Sequence, residues 1–443
     1  MKRKTFFRGI HPADGKALSQ ECPIRSFRPE GGEFIFPLSA HIGAPAVPIV
    51  QPGERVLLGQ MIAKPGGFVS AAIHSSVSGT VKAIQPRTTV MGETRDSIVI
   101  ENDGKYELFP GVGEKKDPGS PEEIRKDVQS AGIIGLGGAG FPTHVKLTVK
   151  DDSKVEYVIV NGAECEPYLT SDYRMMMERP DELVEGLKII LSLFPNARGV
   201  IAIEDNKPEA IRLLTERTAS ESRITVQPLV TKYPQGGERM LIHAVTGRDI
   251  NSSMLPYDAG CIVDNVATVI AVYRAVVWNE PLTTTVMTVT GDAVNKPGNF
   301  ELPVGCSHQL LLDEAGGFSV SPEKVISGGP MMGTALFTLD IPVQKTTSSI
   351  LAFAVDPVAS HPSGPCIHCG RCVAACPEQL IPQMMQDAAD HDDFARFEAL
   401  GGMECIECGS CTAVCPAHRT LTQSFKYGRQ SVRRLRQQAA AKK

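Results

Sequence analysis

The chain has 443 residues, 42% hydrophobic and 21% charged, enough for about three domains with full cores. Its 45 basic and 50 acidic residues leave a net charge of −5, which excludes the global basic field of a nucleic-acid binder. The most apolar window, residues 261–278, carries Asp264, Asn265 and Arg274 and does not read as a membrane span. His11, Pro12 and Asp14 interrupt the N-terminus before a signal-peptide core could form, so a cytoplasmic protein is expected.

The first domain is expected over residues 1–110. Short runs at 34–38, 47–50, 55–58, 68–72, 80–84 and 97–100, punctuated by Pro52-Gly53, Pro65-Gly66-Gly67 and Ser78-Gly79, predict an all-β sandwich. The phrases PGERVLLGQMIA and SSVSGTVKAI resemble the barrel-sandwich fold of lipoyl and biotinyl carriers. His74, Ser75 and Ser76 stand where a carrier presents its modified lysine, so the fold reads as a docking module.

Residues 111–282 predict an α/β domain. After a linker over 105–122, Pro121 opens a helix with acids in its first turn. Gly135, Gly137, Gly138 and Gly140 then let backbone N–H groups approach an anion closely, and Lys146 adds a fixed positive charge. The alternative for such a lone G-x-G-x-x-G is a glycine-rich turn. A strand at 155–160 runs into Asn161, Glu164 and Glu166, polar residues at a strand end where open α/β sheets bind ligands. Helix and strand then alternate: 181–194, 199–203, 208–216, 226–230, Tyr233-Pro-Gln-Gly236-Gly237-Glu238, a helix over 238–245, and a long helix from Asp264 to Trp278.

Residues 283–350 return to β character with one helix, a β-grasp-like module read as a spacer. The domain over 360–428 carries Cys366, Cys369, Cys372 and Cys376, then Cys405, Cys408, Cys411 and Cys415, each run spaced C-x2-C-x2-C-x3-C and closed by proline. Zinc favours separated pairs of ligands and disulfides favour short secreted chains, so two 4Fe-4S clusters are predicted. In two-cluster ferredoxins the fourth cysteine serves the other cluster. Cys366, Cys369, Cys372 and Cys415 are therefore assigned to one cluster, and Cys405, Cys408, Cys411 and Cys376 to the other. Cys22, Cys165, Cys261 and Cys306 share no spacing and read as buried small hydrophobes. An acidic helical insertion is expected over 381–400. A basic tail over 429–443, continuing the run of Lys426, Arg429, Arg433, Arg434, Arg436, Lys442 and Lys443, suits anionic lipid, an acidic partner or solvent.

GLGGAGFPTHVKL, NGAECEP and YPQGGE resemble the motifs of the NADH-binding flavoprotein subunit of respiratory complex I. With FRGIHP, HIGAPAVPIVQPGERVLLGQMIA and the twin cysteine runs, the chain resembles more closely the RnfC subunits of the Rnf complexes, membrane ferredoxin:NAD+ oxidoreductases, over residues 6 to about 428. The resemblance implies FMN held by Gly135, Gly137, Gly138, Gly140 and Lys146, with Asn161, Glu164, Tyr233, Gly236, Asn265 and Thr268 around the rest of the flavin. Phe141, Glu166 and Glu238 would face NADH. Ala163, Gly237 and Ala267 depart from the complex I pattern. Electrons would pass between NADH, FMN, the two clusters and membrane partner subunits, with no side chain as general acid or base and ion pumping left to the partners. The resemblance also places the protein at the cytoplasmic face of the membrane. A soluble cobalamin reductase and a non-catalytic electron wire are the rival readings. The first lacks the N-terminal β module, and the second would bind clusters but no flavin.

Overall fold

The computed structural model describes residues 2–356 and 358–441. At its centre four parallel strands lie in the order Ile224–Leu229, Arg198–Glu204, Tyr157–Gly162, Cys261–Asn265. Arg198–Glu204 is buried at every position but the first, the pattern of a parallel strand covered on both faces by helices. The chain moves outward from Tyr157–Gly162 to one side, then returns to add Cys261–Asn265 on the other. This reversal puts Asn161 and Asn265, paired in register, at the crevice beyond the strand ends.

The helix Pro121–Ser130 starts as expected, with Pro121 in its first turn. It gains a capping box in which Ser120 and Glu123 exchange side-chain and backbone bonds. The helix Val266–Trp278 is apolar nearly all round and packs on Pro180–Ser192. Gly186 permits that approach, since a Cβ there would lie 2.2 Å from the Val269 carbonyl oxygen. The strand Cys261–Asn265 sits where the sequence suggested that this helix begins, because Asn265 is its N-cap and Asp264 belongs to the sheet.

The sandwich consists of a four-stranded sheet (Glu33–Pro37, Thr94–Asn102, Gly79–Thr88, Arg55–Val56) and a three-stranded one (Val47–Pro48, Met61–Lys64, Ile73–His74). Residues 68–72 are not a strand, and Met61–Lys64, unforeseen, is one. Residues 283–353 contribute five strands to a six-stranded sheet, with the helix His308–Glu314 against it. The sixth strand, Ile24–Ser26, comes from the N-terminus. The expected first domain thus begins its own sheets only at Glu33. Ahead of it, Ile10 and Tyr233 exchange backbone hydrogen bonds of 2.9 and 2.8 Å, and Lys4 bonds to Pro228. The spacer reading also gives way. Phe34, Ile62 and Ile100 of the sandwich share one core with Met287, Phe300 and Ile350, so the two modules are fused.

In the cysteine-rich region the expected insertion is two helices, Pro382–Asp390 and Phe394–Ala399. The basic tail is no separate unit: it is the continuation of the helix Leu421–Ala441, whose Phe425 and Val432 are buried against Met385 and Phe397. Lys442 and Lys443 lie outside the described residues. No helix among the described residues is long and apolar enough to cross a membrane.

Candidate functional site

A cavity of about 860 Å³ opens beyond the parallel strand ends, within the size range of small-molecule sites. All four modules build its wall. The α/β domain supplies Gly137, Gly138, Asn161, Glu164, Glu166, Tyr233, Gly236, Glu238 and Asn265. Residues 327–329, 332–334 and 344–348 come from the fused β module, residues 89–91 with Glu93 and Arg95 from the sandwich, and Ile406 and Cys408 from the cysteine-rich region.

Local bonding fixes these side chains. Asn265 caps its helix through the Ala267 N–H (2.8 Å) and donates to Asp172 Oδ2 at 2.7 Å. Asn161 accepts from the Ala163 N–H and donates to the Gly236 carbonyl. The glycine loop is closed by the Gly135 N–H donating to the Phe141 carbonyl (2.8 Å), and by the Leu136 N–H donating to Thr268 Oγ1 (2.9 Å). At Gly138 an added Cβ would meet no protein atom within 4 Å. Glu164 Oε2 is buried without a hydrogen-bond partner, although Lys16 Nζ stands 3.8 Å away. An open glycine cradle and an unsatisfied carboxylate oxygen beside a roomy cavity fit a polar, phosphate-bearing planar group such as FMN.

Five of the predicted residues do not line the cavity: Gly135, Gly140, Phe141, Lys146 and Thr268. Lys146 is held beneath the loop by the Val263 carbonyl (3.0 Å) and Asp264 Oδ1 (3.1 Å). Burial opposes its charge, but Asp264 and Glu238 more than offset that and hold the ammonium above its ordinary range. Glu166 lines the cavity, yet its carboxylate is engaged: Oε2 accepts from the Met331 N–H (3.2 Å) and Oε1 from the Met332 N–H (2.9 Å). It anchors a loop rather than standing free for a nucleotide. Burial pushes Glu166 up to about 7.

Several residues carried no motif by which the sequence could flag them. Asp172 is pushed up to about 7 by burial and by the neighbouring Glu164. Lys16 is buried against Glu164, and its burial lowers its pKa. Lys345 donates to the carbonyls of Ala72 and Gly132, and burial lowers it to about 7. Met91 and Met332 stand on the cavity wall.

Beside this cavity, Cys376, Cys405, Cys408 and Cys411 line one small enclosed space with Leu380, Met385 and Phe425. The Leu380 N–H points at Cys376 Sγ and the Glu407 N–H at Cys405 Sγ, both at 3.4 Å. Cys372 lies within electrostatic reach of Cys415. The His368 N–H points at Cys366 Sγ at 3.4 Å, and Cys369 is exposed. None of the twelve cysteines is paired in a disulfide. Among the described residues no three Cys, His, Asp or Glu converge on a single-ion site. A cubane needs the wider spacing, with one thiolate on each of four irons. Burial pushes the Cys405 and Cys411 thiols up to about 12. Tyr233, 1% exposed, ties the two centres together by donating to the Cys408 carbonyl at 2.7 Å.

Four family models match: the Nuo51 FMN-binding domain over residues 128–274, the RnfC barrel sandwich hybrid domain over 4–105, a 4Fe-4S dicluster domain over 365–419 and an SLBB domain over 286–335. The C component of the Na+-translocating ferredoxin:NAD+ oxidoreductase complex of Acetobacterium woodii is 44% identical over 437 residues, 98% of each chain. Its proton-translocating counterpart from Clostridium ljungdahlii is 42% identical, over 88% of this chain and 85% of its own. The C component of the ion-translocating oxidoreductase complex of Rhodobacter capsulatus is 39% identical, over 95% and 82%. The fold is shared with a chain of an NAD+-reducing [NiFe]-hydrogenase in the air-oxidized state, at TM-score 0.51 and 21% identity over 71% of this chain and 66% of that one. The flavin-type cavity, the paired cysteine sets and the near full-length identity have one reading: the chain belongs to the RnfC family, the C components of the ion-translocating ferredoxin:NAD+ oxidoreductase, or Rnf, complexes.

Proposed function

We propose that this chain is the nicotinamide-reacting subunit of an Rnf complex, passing electrons between NAD(H), FMN, two 4Fe-4S clusters and the membrane partner subunits. The observation that carries this is the shared wall: Cys408 lines the cavity and the cysteine-lined space alike, with its carbonyl held by Tyr233. Bound FMN supplies the conversion between the two-electron chemistry of a nicotinamide and the one-electron chemistry of a cluster.

The chain's own residues bind, orient and insulate. Gly137 and Gly138 offer backbone N–H groups to the flavin phosphate, with Gly135, Gly140 and Thr268 holding the loop in shape and Lys146 placing positive charge beneath it. Asn161, Glu164, Gly236 and Asn265 contact the remainder of the flavin, and Tyr233 closes the side toward the cluster. Glu238 orients nicotinamide nucleotide hydroxyls. Glu166 acts through the loop that it anchors, and Phe141 supports the glycine loop through its carbonyl. Asp172, beside Asn265, holds a proton near neutral pH on the cavity wall.

Cys376, Cys405, Cys408 and Cys411 hold the cluster next to the flavin. Cys366, Cys369, Cys372 and Cys415 hold the outer one, where the exposed Cys369 marks the exit toward a partner. We read the central sheet as Rossmann-like, residues 283–350 as a β-grasp module and the cysteine-rich region as ferredoxin-like. The protein sits peripherally at the cytoplasmic face of the cell membrane, and ion coupling belongs to its partners. Of the basic tail, Arg429 is spent on the Cys405 carbonyl and Glu407, and Arg436 on Glu398. Arg433 and Arg434 remain exposed for a partner or an anionic surface.

The test is NADH added anaerobically to the FMN- and cluster-loaded protein, with flavin bleaching and cluster paramagnetic resonance followed together. Rapid bleaching supports the reading. Assembled clusters without flavin binding or bleaching would reduce the chain to a wire.

A further inference from the structure

A hydride carries two electrons and one proton. Its transfer from NADH needs no side chain as acid or base, but its electrons leave singly for the clusters, and the proton must then leave the cavity. In the reverse direction one proton must enter. A nucleotide seated in the cavity closes the mouth to water, so the proton needs a route through the wall.

Behind that wall lies a set of charged side chains that neither flavin binding nor cluster ligation uses. Lys16, in the short turn Lys16–Leu18 of the N-terminal segment, is 3% exposed, and its ammonium stands 3.8 Å from Glu164 Oε2 on the cavity wall. It is held there by donating to the Glu166 carbonyl (2.9 Å) and to that of Leu169. Glu204 and Lys207 do not line the cavity, yet they are 1% and 2% exposed, with Lys207 Nζ 3.5 Å from Glu204 Oε2. Lys207 Nζ also donates to Oδ1 of the half-buried Asn206 at 3.2 Å. Lys16 lies within electrostatic reach of both Glu204 and Lys207.

The turn 232–236 joins the two halves of this set. Its Lys232 N–H donates to Glu204 Oε1 at 3.2 Å, and its Gly236 N–H points at Sγ of Cys165, the neighbour of Glu164, at 3.3 Å. Gln235 of the same turn is wholly buried, and neither of its amide atoms has a hydrogen-bond partner among the described residues. Buried polar groups that serve only the fold are satisfied by their neighbours. Here Glu164 Oε2 and both ends of Gln235 are left over, at places that bridging water satisfies. Asp172, which accepts from Asn265 and faces Glu164, Lys16 and Lys207, stands at the inner end.

We propose that Glu164, Lys16, Glu204 and Lys207, with Gln235 on the turn that joins them, carry this proton between the cavity and the surface at Asn206. The relay takes up a proton at one end and gives one up at the other, O–H and N–H bonds forming and breaking in turn, and every group ends as it began. The N-terminal segment then serves the reaction through Lys16. The inference rests on the reading of the cavity as the flavin and nicotinamide site.

The experiment uses the full-length, FMN- and cluster-loaded protein with the variants Lys16→Met and Glu204→Gln. The second keeps the side-chain shape, so the kinetic test stands even where Lys16→Met does not fold. NADH is mixed with ferricyanide, a one-electron acceptor, in weak buffer, in light and in heavy water. Flavin bleaching, flavin recovery and proton release to a pH indicator are followed by stopped flow. Bleaching is expected at the wild-type rate in each variant, with recovery and proton release slowed about tenfold or more and a larger solvent isotope effect. In the flavin-free protein, infrared titration should show Asp172 holding its proton to higher pH in Lys16→Met, because the Lys16 charge lowers its pKa. Unchanged recovery, proton release and isotope effect overturn the proposal, as does bleaching slowed as much as recovery. An unmoved Asp172 overturns the link between Lys16 and the cavity wall. If NADH does not bleach wild-type flavin, the reading of the cavity itself falls and this inference with it, whereas normal bleaching with unaffected variants sinks the proton path alone.

Discussion

Glu166 offers a direct test of how the β-grasp loop is held over the cavity. Its carboxylate accepts two backbone N–H groups from the loop, and burial nonetheless pushes it up to about 7. In an opened loop the side chain returns to water and to its ordinary value of about 4.3. The closed form therefore binds the proton more tightly than the open form. By linkage, closure is favoured fully below the ordinary value and weakens as pH rises through about 7. Each tenfold in proton affinity is worth about 1.4 kcal/mol, so the whole effect reaches about 4 kcal/mol if opening hands Glu166 entirely to water. Hydrogen exchange at the Met331 and Met332 amides, corrected for intrinsic rates and measured from pH 5.5 to 7.5, should show protection falling by up to about tenfold per pH unit until about pH 7. Glu166→Gln should remove that dependence, since it cannot ionise. The substitution leaves one backbone N–H facing an amide donor, and so lowers protection at low pH by about 1 to 3 kcal/mol. Protection in the wild type that rises with pH, or an unchanged slope in the glutamine variant, would refute the anchor.

Gly138→Ala should leave the melting temperature of the flavin-free protein unchanged, since its Cβ meets nothing. It should weaken FMN about tenfold, about 1.4 kcal/mol, in a fluorescence-quenching titration. Tyr233→Phe removes the bond to the Cys408 carbonyl. It should cost about 1 kcal/mol and shift the potential and paramagnetic signal of one cluster while the other keeps its values. Cys376→Ala and Cys408→Ala should abolish the same cluster signal, and Cys415→Ala and Cys369→Ala the other. Loss of one signal by Cys376→Ala and Cys369→Ala together would show that each run serves its own cluster. Lys345, lowered to about 7 by burial, binds its proton less tightly in the folded protein than at its ordinary value of about 10.4. Stability should accordingly rise between pH 7 and 10, and Lys345→Met should abolish that rise in thermal denaturation.

The cysteine runs were legible because their ligand geometry is local: four residues within eleven positions set the loop, and Gly370 and Gly409 take the left-handed φ that turns it. The α/β elements were legible because buried parallel strands and amphipathic helices carry strong periodicity, and the strand expected over 199–203 emerges as Arg198–Glu204. The sandwich strands were harder to bound. Strands such as Ile73–His74 are too short for alternation to register, and pairing with distant partners sets their limits. The cavity wall was only half legible. Gly137, Asn161 and Asn265 stand in motifs, but Asp172, Lys345, Met91 and Met332 acquire meaning only when separate modules meet. The anchoring contacts of Glu166 were hidden for the same reason: its partners lie 165 and 166 residues away.

Those long-range contacts have a common physical consequence. Glu166 joins the α/β domain to the β-grasp loop, Lys345 joins that module to the sandwich carbonyl of Ala72, and Tyr233 joins the flavin cavity to the Cys408 loop. Each is buried or largely so, and separating the modules would leave its polar group to be satisfied by water. A ligand that fills the cavity touches the same segments that these bonds hold, so it binds the assembled arrangement in preference to any parted one. Binding and module docking are then linked by mass action: saturating FMN at a hundred times its Kd would add about 2.7 kcal/mol to the docked form. That stabilisation should spread to the sandwich and β-grasp amides, and not only to the glycine loop, because neither module can leave without opening the wall. Hydrogen exchange with and without FMN would reveal it. Protection confined to residues 135–140 would mean instead that the modules are held independently of the cofactor, by the core that the sandwich and β-grasp already share.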